Sequence, residues 1–169
     1  MQRRSFLTLG LASAAVLAVG GGALAWVQPG LRDARLSDAG REVFAAVGRA
    51  MLDGALPAPE GARNAALAGL LERIDSLVAA LPGHAQAELS QLLAVLATAP
   101  GRRILAGLDA PWPSASVSDL QGALQSMRVS SLALRVQAYQ ALHDIVNGAY
   151  FSDAGTWGLL GYPGPTQIS

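Results

Sequence analysis

The sequence predicts an all-α protein: a small bundle of about five helices with an irregular C-terminal tail rich in Gly, Pro and aromatic residues. Two observations carry this expectation. The 169 residues include 33 Ala and 27 Leu, the strongest apolar helix formers, whereas Val, Ile and Thr are sparse. Apolar side chains also recur at three- and four-residue spacing, in runs punctuated by Gly and Pro. With 51% hydrophobic and 14% charged residues, the composition is that of one folded domain rather than a disordered chain.

Ser37 has the hydroxyl to cap a first helix, and Leu36 before it offers a hydrophobic staple. Val43, Phe44, Val47, Ala50 and Met51 then share one face, until Gly54 and Pro57-Ala58-Pro59 end the run. A second helix over 62–81 turns Leu67, Leu70, Leu71, Ile74, Leu77, Val78 and Leu81 inward, with Arg63, Glu72, Arg73 and Asp75 on its outer side. Pro82-Gly83 forces a turn into a third helix over 84–98 that buries Leu89, Leu92, Leu93 and Leu96. So short a joint predicts that the second and third helices are antiparallel neighbours. A short helix spans 102–108, and Pro111-Trp112-Pro113 makes a rigid corner. Ser116 with Asp119 is a capping arrangement for a fourth helix reaching Met127, and a longer helix over 130–151 follows.

Composition narrows the chemistry. Every one of the 12 basic residues is Arg and the formal net charge is zero, so no basic stripe invites a nucleic acid. Without Cys there is no disulfide framework, thiolate metal site, covalent haem attachment or cysteine nucleophile. His84 and His143 are little material for metal catalysis. Adjacent helical residues point about 100° apart, so Asp144 is poorly placed to orient His143, and Tyr139 or Asn147, four residues away, is the better partner. Ser130 and Ser131, beside Arg128 and Arg135, have no base at helical spacing and read as a polar stripe. Arg102-Arg103 reads as a surface pair flanking a short helix. No strand precedes a phosphate-cradling glycine loop, so a flavin would have to sit on another chain. The residues present therefore predict no catalytic, cofactor-binding or metal-binding set.

The N-terminus reads as an address. Arg3-Arg4-Ser5-Phe6-Leu7 resembles the twin-arginine export signal, with Gln2 and Thr8 departing from the flanking pattern. No charge appears between Ser5 and Leu31, and the apolar stretch 6–27 is diluted by Gly10, Gly20, Gly21 and Gly22. Ala23-Leu24-Ala25 supplies small residues where a signal peptidase inspects, giving a leader over 1–25. Retention of 6–27 as an anchor is the alternative, since 22 residues at ~1.5 Å each just cross a ~30 Å hydrocarbon core. A core helix of a cytoplasmic protein is the third. Residues 26–36, with Pro29-Gly30, read as an exposed linker into a helical domain over 37–169.

Six of the nine aromatic side chains lie from Trp112 onward, and four of the five residues 161–165 are Gly or Pro, so the tail cannot continue as a helix. The leader, the Ala/Leu-rich body, the Pro-Gly-Arg-Arg…Pro-Trp segment (100–112) and the Tyr-Phe…Trp…Gly-Tyr-Pro-Gly-Pro ending (150–165) together resemble the small subunits of periplasmic flavin dehydrogenases. These are the gluconate 2-dehydrogenase subunit 3 group and similar partners of glucose-methanol-choline oxidoreductases. The resemblance implies a non-catalytic subunit that binds, stabilises and helps export a large FAD-dependent sugar or alcohol dehydrogenase, which passes electrons to a cytochrome c subunit carrying haem c. The twin-arginine translocase would be a further partner and the periplasm the destination. The compact, Ala-rich body departs from the longer, more polar gluconate-type members, so the substrate branch stays open. Trp112, Trp157, Tyr162, Pro163, Gly164 and Pro165 are expected at the partner interface, because Trp and Tyr bury large area at low entropy cost and Pro-rich chain is preordered. A tail folded back on its own bundle is the competing arrangement. A stand-alone periplasmic or membrane-anchored helical protein, binding a ligand or helping assembly, is the alternative function.

Overall fold

Ser37 starts the bundle. Its hydroxyl accepts the Gly40 amide at 3.2 Å and donates to the Gly30 carbonyl at 3.0 Å, opening helix α1 (Asp38–Met51). Asp38 in the first turn and Arg49 in the last complement the helix dipole. The computed structural model describes residues 28–161, and the leader residues Arg3, Arg4, Phe6, Leu7, Ala23 and Ala25 lie outside them. Val43, Phe44 and Val47 are fully enclosed. Gly40, Ala46, Gly48 and Ala50 are buried as well, which makes α1 narrow on its other faces. A Cβ at Gly48 would stand 2.9 Å from Leu70, so the neighbouring helix lies directly on this backbone. Helix α1 is the axis around which the other long helices pack.

Helix α2 (Glu60–Ala79) places Leu67, Leu70, Ile74 and Val78 against α1 and the last long helix. Helix α3 (Gly83–Ala97) buries Leu89, Leu93, Ala94 and Leu96, chiefly against α1. The neighbouring pairing expected of α2 and α3 does not form, because α3 spends its apolar stripe on α1, α2 divides its own between α1 and the last long helix, and the two scarcely touch one another. Thr98 caps the one-turn helix α4 (Ala99–Gly101), which runs into a π turn (Arg102–Ala106) stopped by Gly107 at φ 71. Helix α5 (Val117–Arg128) opens on Ser116, whose hydroxyl accepts the Asp119 amide at 3.1 Å. Helix α6 (Ala133–Phe151) begins three residues later than the pattern suggests, because Ser130 Oγ accepts the Leu132 amide at 3.2 Å and turns the chain first. It buries Ala138, Leu142, Val146, Ala149 and Tyr150 against α2, α5 and α1. The all-α bundle is as the composition predicts.

The exposed linker expected over 26–36 is corrected by a two-stranded hairpin, β1 (Leu31–Arg32) and β2 (Arg35–Leu36). Its antiparallel register pairs Leu31 with Leu36 and Arg32 with Arg35. The strand alternation turns the leucines into the core and the arginines outward. Asp33 and Ala34 take φ 50 and φ 57, the left-handed values of a two-residue hairpin turn. Gly30 anchors the hairpin to α3: its amide donates to the Ser90 carbonyl at 3.2 Å and the next amide, of Leu31, to Ser90 Oγ at 3.1 Å. A Cβ at Gly30 would collide with that of Leu93, so only glycine permits the approach.

Candidate functional site

The C-terminal segment is built onto the end of α6. Asp153 accepts the Gly155 amide at 2.9 Å and opens a 3₁₀ helix (Ala154–Leu160). The Thr156 hydroxyl donates to Asp153 O at 2.7 Å and lies 3.1 Å from Tyr150 O, covering the carbonyl ends of α6. Arg73 reaches across from α2, donating to Ala149 O at 2.9 Å with its other end 3.4 Å from the Asp153 carboxylate. Trp157 is half-buried and its indole donates to Phe151 O at 2.8 Å. Gly161, at φ 66, closes the turn. The irregular tail therefore begins later than expected, since the Asp153 cap and the Thr156 hydroxyl organise one more short helix. Tyr162, Pro163, Gly164 and Pro165 lie outside the described residues.

Trp112 is corrected from an interface residue to a core one. It is 2% exposed and its indole donates to Leu96 O at 2.8 Å, so both its ring and its polar atom are consumed within the chain. Arg49, from the end of α1, donates to the carbonyls of Trp112 and Pro113 at 3.0 and 3.3 Å and holds the Pro-Trp-Pro corner in place.

Asp75 was expected on the outer side of its helix but is 4% exposed. It accepts the Leu36 amide at 2.8 Å and pairs with the Arg41 guanidinium, so one carboxylate joins α2, the hairpin and α1. Its position four residues after Leu71 and three before Val78 was the available signal. Arg102 is also buried rather than part of a surface pair, donating to Leu108 O at 3.2 Å and Asp109 O at 3.1 Å. Its neighbour Arg103 stays exposed, 3.2 Å from the Asp109 carboxylate.

His143 Nδ1 stands 3.0 Å from Asp144 Oδ1, a pairing that the backbone angle argued against. Both side chains reach solvent, and their rotation overcomes the divergence of adjacent helical positions. The Tyr139 ring also approaches, with centroids 5.5 Å apart. Ser131 and His84 are exposed, and Arg128 is occupied by Gln125 at 3.0 Å. Among the described residues no group of three His, Asp or Glu side chains could hold a metal ion, and no helix is long and apolar enough to cross a membrane.

Two surface features remain. Arg41, Glu42, Ala45, Arg49, Leu71 and Pro113 line an open groove of about 410 Å³ between α1 and α2. Both arginines in it are already committed to structural partners, so the groove offers shape more than free charge. At another place Ile104, Val129 and Leu132 stand 71%, 66% and 61% exposed. Arg135 draws their elements together, donating from Nε to Leu105 O at 2.7 Å and from Nη2 to Ser126 Oγ at 2.8 Å. Large exposed apolar side chains held on rigid elements suit contact with another surface rather than chemistry. No family model matches the chain, and neither the curated proteins nor the solved structures hold a match to it.

Proposed function

We propose that this chain is the non-catalytic small subunit of a periplasmic flavin-dependent dehydrogenase complex, exported with its partner by the twin-arginine route. The observation that carries the reading is the combination of Arg3-Arg4…Phe6-Leu7 with the two aromatic-proline segments, 100–112 and 150–165, on one Ala/Leu-rich chain. FAD would reside in the large subunit and haem c in a cytochrome subunit. The exposed Ile104, Val129 and Leu132 support a protein-binding role, since among the described residues they are the large apolar side chains that the bundle leaves uncovered. Half-buried Trp157, braced by Phe151 O, supports the tail as a second contact.

Capture of a flavoprotein tests the reading. The full chain, tagged and expressed in its native host, should co-purify with a large polypeptide whose spectrum shows bound flavin. A chain recovered alone from both membrane and soluble fractions would overturn it. The internal use of the Trp112 ring and indole favours one competitor, a stand-alone assembly or ligand-binding helical protein, which that second outcome would support.

A further inference from the structure

We propose that the hairpin is a membrane-contacting element that seats the body on anionic phospholipid headgroups through Arg32 and Arg35. The inference is independent of any flavoprotein partner.

Three observations converge on it. The first is the cross-strand pairing of two like charges. Arg32 and Arg35 are direct neighbours in the register, both exposed, and among the described residues neither forms an ion pair. Like charges directly opposite in an antiparallel pair are destabilising, so the fold gains nothing from having them there. Asp33 at the turn leaves the segment 28–36 with a net positive charge.

The second is distance along the chain. The apolar stretch ends at Val27, and Gly30 is already clamped to Ser90 on α3. Three Cα steps span at most about 11 Å. A stretch 6–27 held in a bilayer therefore keeps Gly30 within about 11 Å of the hydrocarbon, which leaves the headgroup layer, roughly 5–7 Å deep, within the hairpin's reach. Within that reach the charge of the hairpin, rather than the tether, decides whether it rests on the headgroups.

The third is charge complementarity. Anionic lipid attracts each basic residue at its surface with an energy that decays within a Debye length, about 8 Å at physiological salt. A hairpin on so short a tether can come inside that range. The guanidinium is also suited to phosphate through its forked donors. On this reading the stretch 6–27 remains attached as an anchor, and the two arginines fix which end of the bundle faces the membrane.

The absence of native Cys allows a direct test on the full chain. A single Ala34→Cys carries a fluorophore, and the protein is reconstituted into vesicles of phosphatidylcholine and phosphatidylglycerol in equal parts, with a headgroup-attached spin-label quencher. Strong quenching is expected at low salt. It should fall by at least half in vesicles of phosphatidylcholine alone, and equally in the Arg32→Glu, Arg35→Glu double variant. That variant keeps a like-charged cross-strand pair but gathers three acids with Asp33, so thermal melting would check that its hairpin still forms. Arg32→Gln with Arg35→Gln supplies a second route should the Glu pair fail to fold. Quenching that is weak in the wild type, or unchanged by lipid charge and by both variants, overturns the proposal. So does recovery from membranes of a chain beginning at Trp26, since nothing would then carry the hairpin to the bilayer.

Discussion

The Leu36 amide donates to the Asp75 carboxylate at 2.8 Å across 39 residues of chain, and the same carboxylate holds Arg41. A buried acid with both oxygens engaged is costly to mishandle, because removing one partner leaves another without compensation. Asp75→Ala should cost about 2–3 kcal/mol, less than a fully buried pair because Arg41 is a third exposed and can turn to water. Asp75→Asn keeps an acceptor for Leu36 and should lose less. Urea melts of the three proteins would measure it, and equal midpoints would contradict the assignment.

Trp112→Ala should destabilise by about 3–5 kcal/mol, the range for deleting a large buried ring. Trp112→Phe keeps most of the volume but abandons Leu96 O and should cost about 1–2 kcal/mol. Thermal denaturation distinguishes this from an interface role, in which the melt would be unchanged and partner capture lost.

Ala34→Gly should stabilise the protein by about 0.5–1 kcal/mol. A non-glycine residue at left-handed φ costs roughly 1–2 kcal/mol, part of which the extra backbone entropy of glycine takes back. A lower melting temperature for the variant would mean that the turn is not of this kind.

What the sequence conveyed and what it withheld divide along physical lines. Ser37, Ser116 and the Val43, Phe44 and Val47 stripe were readable because capping and helical periodicity are local. The hairpin was not, because Leu31 and Leu36 are an isolated pair whose burial depends on Ser90, some 59 residues away. Asp75 and Arg102 were misplaced for a related reason. Charge argues for solvent unless a partner is known to be waiting. For Asp75 that is the Leu36 amide 39 residues away. For Arg102 it is the Leu108 carbonyl, brought round by the turn that Gly107 makes. Trp112 looked like an anchor because composition cannot tell a ring offered to a partner from one kept at home. His143 and Asp144 failed differently, since side-chain rotation outweighed the backbone angle.

Replacing Ile104 and Leu132 together by Asp should abolish capture of the proposed flavoprotein while leaving the melt near wild type, both side chains being exposed. Losing anchors of about 2 kcal/mol weakens binding roughly thirtyfold. Undiminished capture would move the contact to the tail segment 157–165, where Trp157→Ala with Tyr162→Ala is the next variant to assay.

Changing Arg3 and Arg4 to Lys keeps the charge but discards the guanidinium fork. Fractionation should then find this chain and its partner in the cytoplasm. Normal export of both would remove the twin-arginine reading.

The clamp between Gly30 and Ser90 also sets an order of events. The hairpin near the start of the chain has nothing to close upon until α3 has been synthesised and folded, since its fastening points lie at Ser90 and Asp75. Contacts so distant in sequence form late, after the loops between them have been closed. The first thirty residues are thus joined to a firm base only when α1, α2 and α3 are already packed. In a chain whose bundle is incomplete the hairpin has no seat, and in a complete one it is fastened through Gly30, Leu31 and Leu36. Assembly of the core is in this way registered at Gly30 and Leu36, 39 residues or more ahead of the helix residues that complete their seat.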